Sequence, residues 1–149
     1  MVQSTHNTPI TQTMRLDHLA IVVEDIEAAL AFWHTALGLP LGKVERNESE
    51  EVEIAFLPLG ESEIELLAPT NDSSGVAKYL AKRGEGMHHL CIAVENITAT
   101  MQRLTEHGIE LINDIPKVNA EGIRYCFVHP KSAFGVLVEL YERPVSTID

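Results

Sequence analysis

The chain reads "HLAIVV" at residues 18 to 23 and "HLCIAV" at residues 89 to 94, and each copy is followed by the same succession of signals. Two copies of one unit must bury their apolar faces together, which constrains the fold more than any composition does. After the first copy comes "EDIEAALAFWHTALGL", and after the second "ENITATMQRLTEHGI". Asp25 and Asn96 fit as N-caps, since each side-chain oxygen can accept an unpaired first-turn N–H. Ile26, Leu30, Trp33 and Leu37 form a helical stripe, and Ile97, Met101 and Leu104 form its shorter counterpart. Gly38 and Gly108 stand where each helix should stop.

Strands complete each unit. "EVEIAFLPLG" and "SEIELLAP" alternate around a Leu59-Gly60-Glu61 turn, and "IRYCFVHP" and "GVLVELYE" flank "KSAF". The pattern predicts an α+β fold of two tandem βαβββ modules. The first spans about 14–70, a linker helix around "GVAKYLAKRG" falls within about 71–86, and the second module spans about 87–144. A polar leader (1–13) and a short tail (145–149) frame this single domain.

Composition sets the context. The length of 149 residues, 45% of them hydrophobic, suits one globular domain with a sizeable core. No apolar run is long enough to cross a membrane, and the leader "MVQSTHNTPITQTM" has neither a basic start nor an apolar stretch. Eleven Lys and Arg against 22 Asp and Glu give a net charge of -11, which argues against a nucleic-acid partner. Cys91 and Cys126 lie in apolar runs and read as small buried hydrophobes, so a reduced, cytoplasmic protein is expected.

Alternate residues of a strand face opposite sides. Placing Val52, Ile54 and Phe56 on the core turns Glu53 to the other face. Placing Ile64 and Leu66 there does the same for Glu63, Glu65 and Leu67, and placing Val136, Val138 and Leu140 there does it for Glu139. His18 and His89 head equivalent strands, so a pseudo-two-fold brings them together beside Glu65 and Glu139, in "IELL" and "VELY". Two imidazoles with carboxylates make a nitrogen and oxygen donor set suited to a divalent first-row metal. A bound cation also removes the cost of burying a carboxylate in an apolar strand. Glu53 is a spare carboxylate on the same predicted face, suited to proton transfer beside a metal, or else a rim residue of the acidic "ERNESEE" loop. His6, His34, His88, His107 and His129 lack the support of the repeat and read as structural or solvated, His88 pointing away from His89 by strand parity.

"LDHLAIVV", "MHHLCIAV" and the paired modules resemble the vicinal oxygen chelate superfamily, which includes glyoxalase I, extradiol dioxygenases and fosfomycin-resistance proteins. Within it, "IELLAPTNDSSGVAKYLAKRGEGMHHLCIAV" and "VHPKSAFGVLVEL" resemble the methylmalonyl-CoA epimerase family over about residues 14 to 144. The resemblance implies sheets curled around a metal, a homodimer, and a CoA thioester substrate. It implies His18, Glu65, His89 and Glu139 as metal ligands, with Glu65 the least firm because some members carry Gln there. It implies Glu53 as catalytic base and Glu139 as the other acid/base group, interconverting (2R)- and (2S)-methylmalonyl-CoA. Cobalt is the metal implied, while zinc, manganese and nickel suit the same donors. Lys117, Lys131 and Ser132 are candidates to meet the CoA tail. The alternatives are a glyoxalase-type isomerase acting on a glutathione adduct, an iron oxygenase, and a metal-free small-molecule binding module of the same fold.

Overall fold

The structure, a computed structural model, describes residues 13–143, so His6, the leader before residue 13 and the tail at 145–149 lie outside the described residues. The first half runs β1 (Arg15–Val22), α1 (Ile26–Leu30), β2 (Lys43–Asn47), β3 (Val52–Leu59) and β4 (Ser62–Pro69). A connecting helix, α2 (Gly75–Arg83), leads to β5 (Gly86–Val94), α3 (Ile97–Glu106), β6 (Lys117–Val118), β7 (Arg124–Val128) and β8 (Val138–Glu142). This is the expected α+β duplication, each half being strand, helix and three strands. The eight strands form one mixed sheet in the order β2-β3-β4-β1-β5-β8-β7-β6, symmetric about the β1/β5 seam. β1 and β5 are antiparallel, and each runs parallel to the last strand of its own half.

The helices start where the sequence places them. Asp25 Oδ1 accepts from Ala28 N at 3.1 Å and Asn96 Oδ1 from Ala99 N at 2.9 Å, capping the first turns. α3 keeps its stripe, burying Ile97 and Met101. α1 instead loosens into a π-helical turn over 31–36, which leaves Leu37 exposed while Leu39 packs on the core. Gly38 (φ 92) and Gly108 (φ 75) adopt the left-handed conformation that ends each segment.

Each half has its own apolar cluster between sheet and helix. Val23, Ile26, Ala55, Leu57, Ile64 and Leu66 pack in the first, and Val94, Ile97, Met101, Cys126, Val128 and Leu140 in the second. Residues in register share a face. His18 therefore faces with Glu63 and Cys91, Ala20 with Glu65 and His89, and Glu139 with Cys91 and Phe127, all on the side away from the helices. Cys126, in register with Leu140, takes the helix side, so the two free, buried cysteines lie on opposite faces of the sheet.

Strand parity fails on β3. Both of its faces carry apolar residues, so alternation alone does not choose between them. Register with β4 does: Phe56 stands opposite Glu65, Ile54 opposite Leu67, and Glu53 opposite Ala68. Ala55 and Leu57, and not Ile54 and Phe56, enter the helix-side core. Glu53 is thus on the helix side, in register with Arg46 of β2, and not on the face that carries His18 and Glu139.

Two β-bulges flank the seam. Leu16 pairs with Ile92 and His18 with Cys91, so Asp17 is the extra residue of β1. Ala20 pairs with His89 and Ile21 with Met87, so His88 is the extra residue of β5. A bulge re-aims a side chain that simple alternation would turn away. It turns Asp17 and His88, one position before each repeated histidine, back toward their neighbours.

Candidate metal centre and cleft

At the seam, His18 Nε2 lies 3.2 Å from His89 Nε2 and 3.3 Å from Glu139 Oε1, and His89 Nε2 lies 3.2 Å from the same oxygen. Three donor atoms form a nearly equilateral triangle. Donors that share an ion at about 2.0 to 2.2 Å stand roughly 3 Å apart, so the residues present fit a divalent metal held by one face. His18 is 2% exposed and Glu139 5%, which leaves little water to solvate a charge on either.

The second ring nitrogen of each histidine is engaged. His18 Nδ1 lies 2.8 Å from Asp17 Oδ2 and 2.9 Å from Glu65 Oε2, so Nδ1–H donates to carboxylates and Nε2, turned to the triangle, is the nitrogen that an ion would take in place of a proton. Asp17 Oδ1 in turn accepts from Arg143 Nε at 2.7 Å and Nη2 at 2.6 Å. His89 Nδ1 lies 2.7 Å from His88 Nδ1. His88 makes an edge contact with Tyr79 at 4.7 Å between ring centroids, and the Tyr79 hydroxyl donates to the Met87 carbonyl at 2.7 Å.

Electrostatics follow from this arrangement. Burial works against a charge on His18, yet hydrogen bonds with Asp17, Cys91, Glu139 and Glu65 raise its pKa far above the usual range. Burial would raise Glu139 and Asp17, but contacts with His18 and His89 for Glu139, and with His18 and Arg143 for Asp17, hold both below ordinary carboxylates. The surroundings therefore favour positive charge at the triangle and keep its carboxylate ionised. Burial, reinforced by the charge of His89, pushes His88 down to about 4, so it is a neutral imidazole. Cys91 groups with Asp17 and His18, their ligand atoms lying within 4.8 Å of one another, but burial pushes its thiol up to about 12 and keeps it protonated.

Of the predicted residues, the structure brings together His18, His89 and Glu139. Glu65 approaches the same histidine from behind: it contacts Nδ1 and is not a member of the Nε2 triangle. Glu53 is not brought to the site. His34, His107 and His129 are structural, as expected: Nδ1 of the first two donates to the carbonyls of Leu39 and Arg103, and His129 Nδ1 accepts from Lys131 N. The sequence reading missed Asp17, Arg143 and His88. For Asp17 and His88 the signal was that the repeat begins one residue earlier, as "DHLAIVV" and "HHLCIAV"; Arg143 has no local signal, because its tie to Asp17 is a long-range contact.

A cleft of about 500 Å³ opens against Asp17 and Glu65, the carboxylates that meet His18 Nδ1; Glu45, Phe56, Glu63 and Tyr141 line it further, and Asn119, Ala120 and Glu121 flank it from the second half. Burial and the negative charges of Glu65 and Asp17 raise the pKa of Glu63. Phe56 in register with Glu65, and Phe127 in register with Glu139, place matching aromatic rings on the two sides of the seam. Ser132 Oγ accepts from Glu110 N, while Lys117 lies on the edge strand β6. Among the described residues, no helix is long and apolar enough to cross a membrane.

The family model for the Glyoxalase/Bleomycin resistance protein/Dioxygenase superfamily matches residues 17–127. The mitochondrial methylmalonyl-CoA epimerase of Mus musculus is 37% identical, over 93% of this chain and 78% of its own length. The ethylmalonyl-CoA/methylmalonyl-CoA epimerase of Cereibacter sphaeroides is 40% identical, over 85% of this chain and 96% of its own. A variant of Streptomyces coelicolor methylmalonyl-CoA epimerase, solved in complex with 2-nitronate-propionyl-CoA, superposes with a TM-score of 0.79 at 33% identity, covering 91% of this chain and 97% of that one. With its curled sheet, its paired histidines and these relatives, the chain belongs to the Glyoxalase/Bleomycin resistance protein/Dioxygenase superfamily and, within it, to the methylmalonyl-CoA epimerase family.

Proposed function

We propose that this protein is a metal-dependent epimerase that interconverts (2R)- and (2S)-methylmalonyl-CoA by 1,1-proton transfer. The observation that carries the reading is the triangle of His18 Nε2, His89 Nε2 and Glu139 Oε1, with edges of 3.2–3.3 Å, on the cleft face of a chain in this family. His18, His89 and Glu139 would hold the ion, which when bound would supply Lewis acidity toward the thioester carbonyl and so acidify C2–H.

The chain's residues divide the remaining work. Asp17 and Glu65 fix the His18 ring through Nδ1, and Arg143 fixes Asp17. Proton transfer at C2 needs a group on each side of the seam. Glu53 faces the helices, so on the first-half side the cleft-lining carboxylates Glu45, Glu61, Glu63 and Glu65 are the candidates for the place first given to it. On the second-half side the only carboxylate of the triangle is Glu139, whose basicity is reduced while it serves as a ligand. Phe56 and Phe127, in register with Glu65 and Glu139 on the two sides of the seam, are the apolar rings that would flank C2 and its methyl group.

Cobalt is the metal we assign first, with zinc, manganese and nickel served by the same donors. The substrate is a small acyl-CoA, the assembly a homodimer, and the setting cytoplasmic, in keeping with two free buried thiols. The test is proton NMR of methylmalonyl-CoA in D₂O with chelated and Co²⁺-reloaded protein against a no-enzyme blank. Metal-dependent loss of the C2–H signal together with epimer interconversion supports the proposal. Exchange no faster than the blank with metal bound overturns it.

A further inference from the structure

The bulge on β5 gives His88 an orientation that strand parity denies it, and turns its ring nitrogen to the histidine next to it. His88 Nδ1 stands 2.7 Å from His89 Nδ1, on the ring edge opposite the nitrogen that enters the donor triangle. One of the two nitrogens must carry the proton. If it is His89 Nδ1, then His89 Nε2 is bare and can donate its lone pair to an ion. If it is His88 Nδ1, then Nε2 of neutral His89 carries the proton and points N–H into the triangle, where a ligand lone pair is needed.

We infer that His88 is a positioning residue, whose Nδ1 accepts from His89 Nδ1–H and thereby holds His89 in the tautomer that presents Nε2 to a divalent cation. This rests on the metal reading of the site. Three features support it. The repeat places Asp17 in the same relation to His18 that His88 has to His89, each as the extra residue of a bulge, with 2.8 Å and 2.7 Å to the respective Nδ1. Asp17 is an acceptor there, and the same position on β5 is occupied by a side chain whose bare Nδ1 can also accept. His88 is itself fixed: Tyr79 lies edge-on to its ring at 4.7 Å, and the Tyr79 hydroxyl binds the carbonyl of Met87, the residue before the bulge. The bulge thus does on both seam strands what a carboxylate–histidine pair does in metal sites generally, orienting the ring and fixing its proton.

Two readouts other than turnover test this on the full chain. In ¹⁵N-histidine-labelled protein, long-range ¹H–¹⁵N correlation reports the His89 tautomer before metal is added, and calorimetric titration with Co²⁺ reports affinity. His88→Leu should convert His89 to a mixture of tautomers and weaken Co²⁺ binding by about 10- to 100-fold. His88→Asn, whose amide oxygen can stand near the ring Nδ1 position, should restore the Nδ1–H tautomer and bring affinity back to within about threefold. His88→Phe keeps a ring against Tyr79 without an acceptor and replaces the Leu variant if that one does not fold by circular dichroism. Wild-type affinity and tautomer in the Leu or Phe variant overturn the inference. So does a folded Asn variant that binds as weakly as Leu, since packing alone then accounts for His88. A wild-type protein that binds no divalent ion while its His89 tautomer still depends on His88 removes the metal reading and leaves the orienting role in place.

Discussion

The two halves share a backbone plan and differ in what they bring to the seam. In the second half, Glu139 reaches between the two Nε2 atoms, 3.2 Å from one and 3.3 Å from the other. Its counterpart Glu65, in the last strand of the first half, turns to Nδ1 of His18 at 2.9 Å. The bulge residues differ too: His18 is backed by a carboxylate tied to Arg143, and His89 by a neutral imidazole. Duplication thus supplied two equivalent frames. The first half surrounds its histidine with negative charge, and the second provides the carboxylate that closes the donor triangle. One ion needs one such triangle, so the two glutamates need not perform the same task.

The comparison is most exposed at Glu139. Glu139→Gln removes the single charge shared by both Nε2 atoms, and Co²⁺ affinity measured by calorimetry should fall by more than about 100-fold, beyond the range seen when only an outer partner of a ligand is lost. C2–H exchange should fall to the blank. If affinity drops less than in Glu65→Gln, the two halves have been assigned the wrong way round.

Asp17→Asn comes next, with affinity lowered by about 10- to 100-fold because His18 loses a charged acceptor. It also has a pH signature. Asp17 has its folded pKa held below the ordinary value of 3.8, so its contribution to stability is fully present above that pH and disappears as pH falls through the folded value. The variant should therefore melt below wild type at neutral pH, and the difference should narrow from about pH 4 downward. A gap in melting temperature that stays constant to pH 2 would mean the Asp17–Arg143 contact is not what stabilises the seam.

Most of this architecture was legible in the sequence because it rests on local rules. Caps at Asp25 and Asn96, stops at Gly38 and Gly108, and the parity of Ile64-Glu65-Leu66 and Val138-Glu139-Leu140 each follow from a few neighbouring residues. What was not legible depends on pairing between strands. A bulge is defined by its partner strand, so nothing within "MHHLCIAV" reveals that His88 and Met87 do not alternate in the ordinary way. Likewise "EVEIAFL" offers an apolar face in either phase, and only Glu65 standing opposite Phe56 decides which one meets the helix.

Glu65→Gln separates orientation from ligation. A glutamine carbonyl can still accept from His18 Nδ1–H, so Co²⁺ affinity should fall by about tenfold or less. If Glu65 also moves the proton, exchange at C2 falls much further than affinity does. A loss of affinity as large as that of Glu139→Gln would place Glu65 among the direct ligands and restore symmetry to the two halves.

The smallest effect is expected at Glu53. Its strand neighbours Ile54 and Phe56 face the cleft, whereas Glu53 shares the helix side with Ala55 and Leu57 and stands in register with Ala68 and Arg46. Turning its carboxylate to C2 would require β3 to slip by one residue. Such a slip would also expel Ala55 and Leu57, both fully buried, from the first core cluster. Glu53→Gln should accordingly leave C2–H exchange within about twofold of wild type, as expected of a near-isosteric substitution at a half-buried position away from the site. Loss of exchange by 100-fold or more, with Co²⁺ affinity unchanged, would mean that β3 shifts its register when substrate binds. The first half would then contribute a mobile strand to the reaction, where the second contributes a fixed one.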